Sequence, residues 1–232
     1  MQFYQIVIVS LHKAQIVMKI GITNLKGGVG KTTLTQNLAV CLSHLNYTVC
    51  IVDTDENHNS ISWSGVRDES VPEILVVGAT DDRALSKQVQ NLEKHYDFVL
   101  IDGTPHLGEM TTRIILASDI LIIPILASAH DVRSVKQFLE RLDQAKEFRP
   151  KITTYFFLNL FQGFSVQNSV VEILKSFEIP ILESNFRNRV AYIESAVEGR
   201  GVLEWTDEKA ASEAANLTKE VLKIVDGLHG LE

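Results

Sequence analysis

This sequence of 232 residues has few cysteines, no excess of positive charge and no long apolar runs. The two cysteines, Cys41 and Cys50, fall on a predicted helix and a predicted strand without metal-site spacing, so we expect buried, reduced thiols. The formal net charge of −7 is not that of an obligate nucleic-acid-binding protein, although a local basic patch is enough to bind phosphates. No apolar run approaches the roughly 18 residues that span a bilayer.

The first 17 residues do not fit the pattern of the rest of the chain. The apolar stretch 6–11 is too short for a secretory signal and has no positive cluster before it, so we expect a cytoplasmic protein. The first well-formed strand is predicted from residue 19, and no repeat, low-complexity segment or linker after it marks a second domain, so we expect a single domain over 18–232. We favour a poorly ordered extension over 1–17, and an edge strand over 5–11 is the alternative.

Apolar runs of strand length alternate with helical patterns along the chain. Such alternation predicts an α/β protein with a doubly wound, mostly parallel sheet and helices on both faces. Ligands of such sheets bind beyond the carboxyl ends of the strands. The predicted strands are 19–23, 48–53, 74–77, 98–102, 120–124, 152–158 and 181–184, and the predicted helices are 33–45, 82–95, 132–148, 166–177, one that ends at 197, and 208–228.

A glycine-dense stretch follows the first strand and leads into the first helix. Glycines allow the backbone N–H groups to turn toward a phosphate, and the helix N-terminus adds positive potential there. The lysine of the G-K-T sequence is expected to reach the β- and γ-phosphates, and the next hydroxyl is expected to bind Mg²⁺. The residues assigned to this loop are Lys26, Gly27, Gly28, Val29, Gly30, Lys31, Thr32 and Thr33.

A carboxylate ends the apolar run 98–102 and is followed by Gly103, as in a Walker B pattern. Asp102 is expected to orient a water on the Mg²⁺ that Thr32 binds. An aspartate after a hydrophobic strand is weak evidence by itself, because buried strands often end in a turn-forming Asp. The phosphate loop upstream makes the metal role the favoured interpretation.

Leu25 stands where the usual Walker A pattern has its first glycine, and Lys26 follows it. This K-G-G-x-G-K-T-T form resembles the ParA/MinD family of P-loop ATPases, and the compact size resembles its small plasmid partition (ParF-like) branch. The resemblance implies that Lys26 crosses a dimer interface to the partner's ATP. It also implies that Asp55 positions the attacking water and that Asp53 supports the Mg²⁺ shell, the alternative being two carboxylates that only solvate a loop. It further implies that Asn159 reads adenine, and a buried-turn asparagine is the alternative there.

Two departures from the family pattern bear on these roles. The family's segment D-x-D-P-Q reads D-T-D-E-N here, so Glu56 and Asn57 replace Pro-Gln and leave the conformation of that switch loop open. A second switch, sensitive to the γ-phosphate, is expected over 104–108, where His106 is either a contact or an exposed loop residue.

By resemblance, the function is that of an ATP-dependent DNA partition ATPase. Such a protein forms a homodimer on binding ATP and Mg²⁺, binds DNA non-specifically, associates with the nucleoid, and hydrolyses ATP slowly until a small centromere-binding (ParB-like) protein stimulates it. The alternatives are a MinD-like positioning ATPase on a membrane, a VirC1-type ATPase that promotes conjugative DNA transfer, and an ATP-dependent synthetase. A membrane is not the expected partner, because acids and lysines mix on the last helix.

DNA binding requires basic side chains that converge on one face. The candidates, for which ordinary solvated surface charge is an equal alternative, are Arg187, Arg189, Arg200, Lys219 and Lys223.

Overall fold

A computed structural model of the protein describes residues 17–105, 108–126 and 128–230. The predictions for residues 1–16 and for His106 lie outside this part of the chain. Within it, seven strands form one sheet in the order β3-β2-β4-β1-β5-β6-β7, and all of the paired strands are parallel. The strands are β1 (Met18–Ile22), β2 (Val49–Asp53), β3 (Leu75–Gly78), β4 (Phe98–Asp102), β5 (Ile120–Ile125), β6 (Thr153–Leu158) and β7 (Ile181–Asn185). The predicted α/β class and parallel sheet are confirmed.

Helices cover both faces of this sheet. In the described part of the chain they are α1 (Lys31–His44), α2 (Asn59–Gly65), α3 (Asp82–Leu92), α4 (Glu109–Ala117), α5 (Ala129–Phe148), α6 (Ser165–Lys175), α7 (Ala191–Val197) and α8 (Glu208–His229), with a 3₁₀ turn at Val202–Glu204 between the last two. Two of them, α2 and α4, were not predicted.

The central strands are buried from end to end because helices lie on both sides of them. Strands β2, β4 and β5 consist of buried residues only, as expected for parallel strands covered on both faces. The apolar stripe of α8, including Leu217, Val221 and Val225, packs into the same core cluster as α1. The prediction that the C-terminal helix packs on the sheet is therefore confirmed. None of the described helices is both long enough and apolar enough to cross a bilayer.

The topology brings the predicted site residues to one edge of the sheet. Strand β4 lies between β1 and β2, and its last residue, Asp102, is in register with Ile22 of β1 and Asp53 of β2. The chain leaves β1 at this edge and enters α1 at Lys31. The glycine-rich loop and the two aspartates thus meet at the carboxyl ends of adjacent strands, where this fold class binds its ligands.

Candidate nucleotide site

The glycine-rich loop adopts a backbone that only glycine accepts without strain at two positions. Gly28 has φ 72° and Gly30 has φ 88°, both in the left-handed region. Gly30 directly precedes the first residue of α1, and its carbonyl accepts the Leu34 N–H at 2.9 Å. A Cβ at Gly30 would overlap the side-chain amide of Asn159. The loop therefore ends tightly against a neighbouring strand and points the α1 N-terminus at the site.

Lys31 extends back across the loop. Its Nζ donates a hydrogen bond to the Lys26 carbonyl at 3.0 Å, and the residue is only 7% exposed. Burial lowers the pKa of Lys31, while the carboxylates of Asp102 and Asp55 act in the opposite direction. An ammonium group has three donors, and the bond to one carbonyl leaves two of them for anionic oxygens in the loop.

Asp102 is buried at the end of β4, with one oxygen bound and one unpaired. Its Oδ2 accepts the Ser60 hydroxyl at 2.8 Å, whereas its Oδ1 has no hydrogen-bond partner within the described chain. Burial raises the pKa of Asp102 to about 7 and Asp53 adds to this, while Ser60, Thr32 and Lys31 oppose the rise. A buried carboxylate without a full set of partners is expected to have a cation as ligand.

The residues around Asp102 fit Mg²⁺. The Thr32 hydroxyl lies close enough to Asp102 to affect its pKa, and hydroxyl and carboxylate oxygens are hard ligands. No cluster of three metal-binding side chains occurs in the part of the chain that the structure describes. Mg²⁺ is usually held by one or two protein groups together with water and substrate phosphates, so this sparse set suits it.

Asp53 ends β2, as predicted, and its carboxylate is bound by backbone N–H groups. It is fully buried, its Oδ1 accepts the Asp55 N–H at 3.1 Å, and its Oδ2 accepts the N–H groups of Ser60 (2.9 Å) and Ile61 (3.2 Å). Oδ1 is thus bound to the loop that follows β2, and Oδ2 is bound to backbone donors in the first turn of α2. The structure shows Asp53 anchoring that helix, and any support it gives to a Mg²⁺ shell is indirect.

Asp55 lies at the start of the loop that joins β2 to α2. Its Oδ1 accepts the backbone N–H of Asn57 at 2.9 Å and the Asn57 side-chain amide at 2.8 Å. The residue is half-buried, and its charge offsets part of the lowering that burial causes in the pKa of Lys31. Asn57, which replaces a family residue, therefore fixes the orientation of the Asp55 carboxylate beside the phosphate loop.

Asn159 is a buried residue directly after β6, as in the alternative to the adenine contact, which stays a prediction. It is 5% exposed, its Nδ2 donates to the Val29 carbonyl at 2.8 Å, and its Oδ1 accepts the Leu160 N–H at 3.0 Å. The side chain is directed under the phosphate loop and is engaged at both ends of its amide. The structure gives Asn159 the role of fastening the loop to the end of β6.

Three of the five basic candidates share one surface. An open groove of about 450 Å³ between β7 and α8 is lined by Glu183, Ser184, Asn185, Arg187, Glu213, Asn216, Lys219, Glu220 and Lys223. Lys219 and Lys223 are exposed and form no ion pair within the described residues. We call the groove the α8 groove.

The arginine candidates are more constrained than the lysines. Arg189 pairs with Glu213 (Nη2 to Oε1, 2.7 Å), and Arg187 donates to the Phe161 carbonyl at 3.0 Å. Arg200 is not part of the α8 groove. It lies beside α2, where its carbonyl accepts the Trp63 indole N–H at 3.2 Å. Of the five basic candidates, Arg187, Lys219 and Lys223 therefore line the groove together, and Arg200 lies elsewhere.

Comparison with known proteins identifies the family. Residues 20–202 match the family model described as the CobQ/CobB/MinD/ParA nucleotide binding domain. The chain belongs to this family. It is 27% identical over 213 residues to the maintenance of carboxysome distribution protein A of Halothiobacillus neapolitanus, covering 88% of this chain and 95% of that protein.

Two further ParA/MinD-type proteins extend the comparison. The sporulation initiation inhibitor protein Soj of Bacillus subtilis is 29% identical over 158 residues, which cover 52% of this chain and 62% of Soj. The septum site-determining protein MinD of Pyrococcus horikoshii, solved as a complex with Mg-ADP, superposes with a TM-score of 0.72 at 20% identity. That superposition covers 89% of this chain and 96% of MinD. It shows that the fold is shared.

Proposed function

We propose that this chain is an ATP-dependent partition ATPase that binds ATP with Mg²⁺, dimerises, and uses non-specific DNA as its track. The observation that carries the proposal is the loop geometry: a buried lysine crosses the glycine turn beside a buried carboxylate, one oxygen of which has no hydrogen-bond partner among the described residues. Family membership and the Mg-ADP complex of the MinD relative support the same ligand.

Each site residue has a defined part in this proposal. Lys31 and the backbone of the loop bind the β- and γ-phosphates, Thr32 and Asp102 hold the metal, and Asp55 orients the attacking water. The bound Mg²⁺ neutralises charge on the phosphates. The buried surroundings of Asp102 and Lys31 exclude water from this edge, which strengthens every electrostatic contact made there.

Lys26 is the residue proposed to link two copies of the chain. Its backbone is fixed from both sides, because its N–H donates to Asn24 Oδ1 at 3.2 Å and its carbonyl accepts Lys31 Nζ. The residue is half-exposed at the loop. In the proposal, its side chain reaches the ATP of a second copy, so a dimer of two-fold symmetry forms around two nucleotides.

Light scattering with a slowly hydrolysed ATP analogue and Mg²⁺ tests this function. We expect wild-type protein to double its mass and Lys26→Ala to remain at the mass of one chain. Lys87→Ala removes an exposed lysine from α3 and is the matched control, which is expected to dimerise. Equal masses for wild type and Lys26→Ala in the presence of the analogue would contradict the proposed dimer.

DNA is the proposed track because of the α8 groove. Lys219 and Lys223 lie one helical turn apart on α8 and extend from it without compensating ion pairs within the described chain. Their ammonium groups are available to phosphate oxygens, whereas Arg189 is neutralised by Glu213. A small ParB-like protein is the proposed activator of hydrolysis, as in the partition branch of the family.

A cargo other than plasmid DNA is the second candidate. The relative from Halothiobacillus neapolitanus maintains carboxysome distribution and aligns over 95% of its length. The ATP cycle would be the same, and only the partner on the cargo would differ. Fluorescently labelled protein that follows plasmid copies in the cell supports the first candidate, and protein that follows a proteinaceous compartment supports the second.

A further inference from the structure

Ser60 connects the two aspartates that end adjacent strands. Asp53 and Asp102 are in register across the β2–β4 pair, and both are buried. The backbone N–H of Ser60 donates to Asp53 Oδ2 at 2.9 Å, and its hydroxyl donates to Asp102 Oδ2 at 2.8 Å. One fully buried residue thus supplies a hydrogen bond to each of two carboxylates.

Ser60 lies in the first turn of α2 and is held there by a residue of the sheet. His58, which precedes α2, has φ 51° and makes no side-chain cap, so the N–H groups of Ser60 and Ile61 are bound by Asp53 instead. This anchoring holds the Ser60 hydroxyl against Asp102. The start of α2 and the Asp102 carboxylate are therefore mechanically linked.

The hydroxyl also determines which oxygen of Asp102 is available. The χ2 torsion of an aspartate is broad, so a carboxylate without a fixed partner can exchange its two oxygens. With Oδ2 bound to Ser60, Oδ1 is the oxygen left without a hydrogen-bond partner in the part of the chain that the structure describes. Partners that orient metal ligands in this way typically contribute about 10–100-fold to metal affinity or activity.

We propose that Ser60 is a positioning residue for Mg²⁺, which fixes the Asp102 carboxylate so that Oδ1 faces the metal. This inference rests on the proposed nucleotide function. It adds a residue outside the phosphate loop and the two aspartate motifs, and it makes the position of α2 part of the metal site. A displacement of α2 would weaken Mg²⁺ binding without any change in the phosphate loop.

The test measures the affinity for a fluorescent ATP analogue, first in a chelator and then across a Mg²⁺ titration. Ser60→Ala removes the hydroxyl while keeping a good helix former. We expect its apparent Mg²⁺ affinity to fall by about tenfold or more, with analogue affinity in the chelator unchanged. Ser62→Ala removes an exposed hydroxyl from the same helix and is expected to behave as wild type.

The outcomes separate this inference from the proposed function. Wild-type Mg²⁺ dependence in Ser60→Ala overturns the role of Ser60 alone. An equal loss of analogue affinity in chelator and in Mg²⁺ also overturns it, because that result indicates a general effect on the loop. Wild-type protein that binds no analogue under either condition overturns the proposed function and the role of Ser60 with it.

Discussion

Replacement of Glu204 by glutamine tests how firmly α2 is held at its far end. Glu204 Oε1 accepts Arg67 Nη2 at 2.6 Å and His44 Nε2 at 2.9 Å, and Oε2 accepts Arg67 Nη1 at 2.8 Å and the Gly201 N–H at 3.1 Å. The side chains of Arg67 and Glu204 are 5% and 2% exposed. Arg67 lies two residues after the end of α2, and Glu204 belongs to the 3₁₀ turn, so this pair fastens the end of the helix to that turn.

The expected cost follows from the pKa of Glu204. Burial alone raises this pKa, but the hydrogen bonds from His44, Arg67 and Gly201 outweigh burial and lower it from 4.5 to about 2. Each pKa unit corresponds to about 1.4 kcal/mol, so the ionised carboxylate gains about 3 kcal/mol from its surroundings. Removal of one partner of a buried ion pair typically lowers the free energy of unfolding by about 3–5 kcal/mol, because the other charge stays buried without compensation. The free energy of unfolding of Glu204→Gln is therefore expected to be about 3 kcal/mol lower than that of wild type at neutral pH.

Urea unfolding at two pH values measures this loss. A lowered carboxyl pKa stabilises the fold above the unfolded pKa of 4.5, and that stability is lost as the pH falls toward 2. The difference between wild type and Glu204→Gln should shrink at about pH 3. Glu172→Gln breaks an exposed pair with Lys175 of similar length, 2.7 Å, and should cost less than about 1 kcal/mol. A loss of that small size for Glu204→Gln, or one that does not change with pH, would refute the reasoning.

Two other predictions concern the loop and the groove. Asn159→Ala leaves the buried Val29 carbonyl without its donor, which should cost about 1–3 kcal/mol in stability and weaken ATP-analogue binding. The exposed Asn168→Ala is its control, and unchanged nucleotide affinity for Asn159→Ala would show that the loop does not need the fastening. Lys219→Ala with Lys223→Ala should weaken binding of the ATP-bound protein to arbitrary duplex DNA and reduce the salt slope by about 1.8. Lys87→Ala with Lys94→Ala makes the same change in charge at two exposed positions, one on α3 and one in the turn after it, so equal DNA affinities for the two double variants would exclude the α8 groove as the DNA site.

The strand ends and the phosphate loop could be predicted because their signals are local. An apolar run that ends in aspartate and a glycine turn before a helix each occupy fewer than ten consecutive residues, as at Asp102 and Gly30. The helix α4 had a readable signal that was missed, since Thr111, Ile114 and Ile115 are buried with helical spacing.

The helix α2 was missed for a physical reason. Its N-terminus has no local capping residue, and the N–H groups that begin it are bound by Asp53, which lies on a strand. The same limit applies to Asn159 and to the arginine candidates. Their partners, Val29 and Glu213, are distant in sequence, so a local pattern does not show that these side chains are already engaged.

Titration calorimetry of ATP into the protein with Mg²⁺ is the most direct test of the central claim, that the loop from Lys26 to Thr33 binds a magnesium-complexed triphosphate. Lys31→Ala, which removes the buried ammonium from the loop, is the comparison. We predict measurable heat with saturation for wild type and loss of that heat for Lys31→Ala. No heat for wild type, or equal heats for the two proteins, would contradict the account.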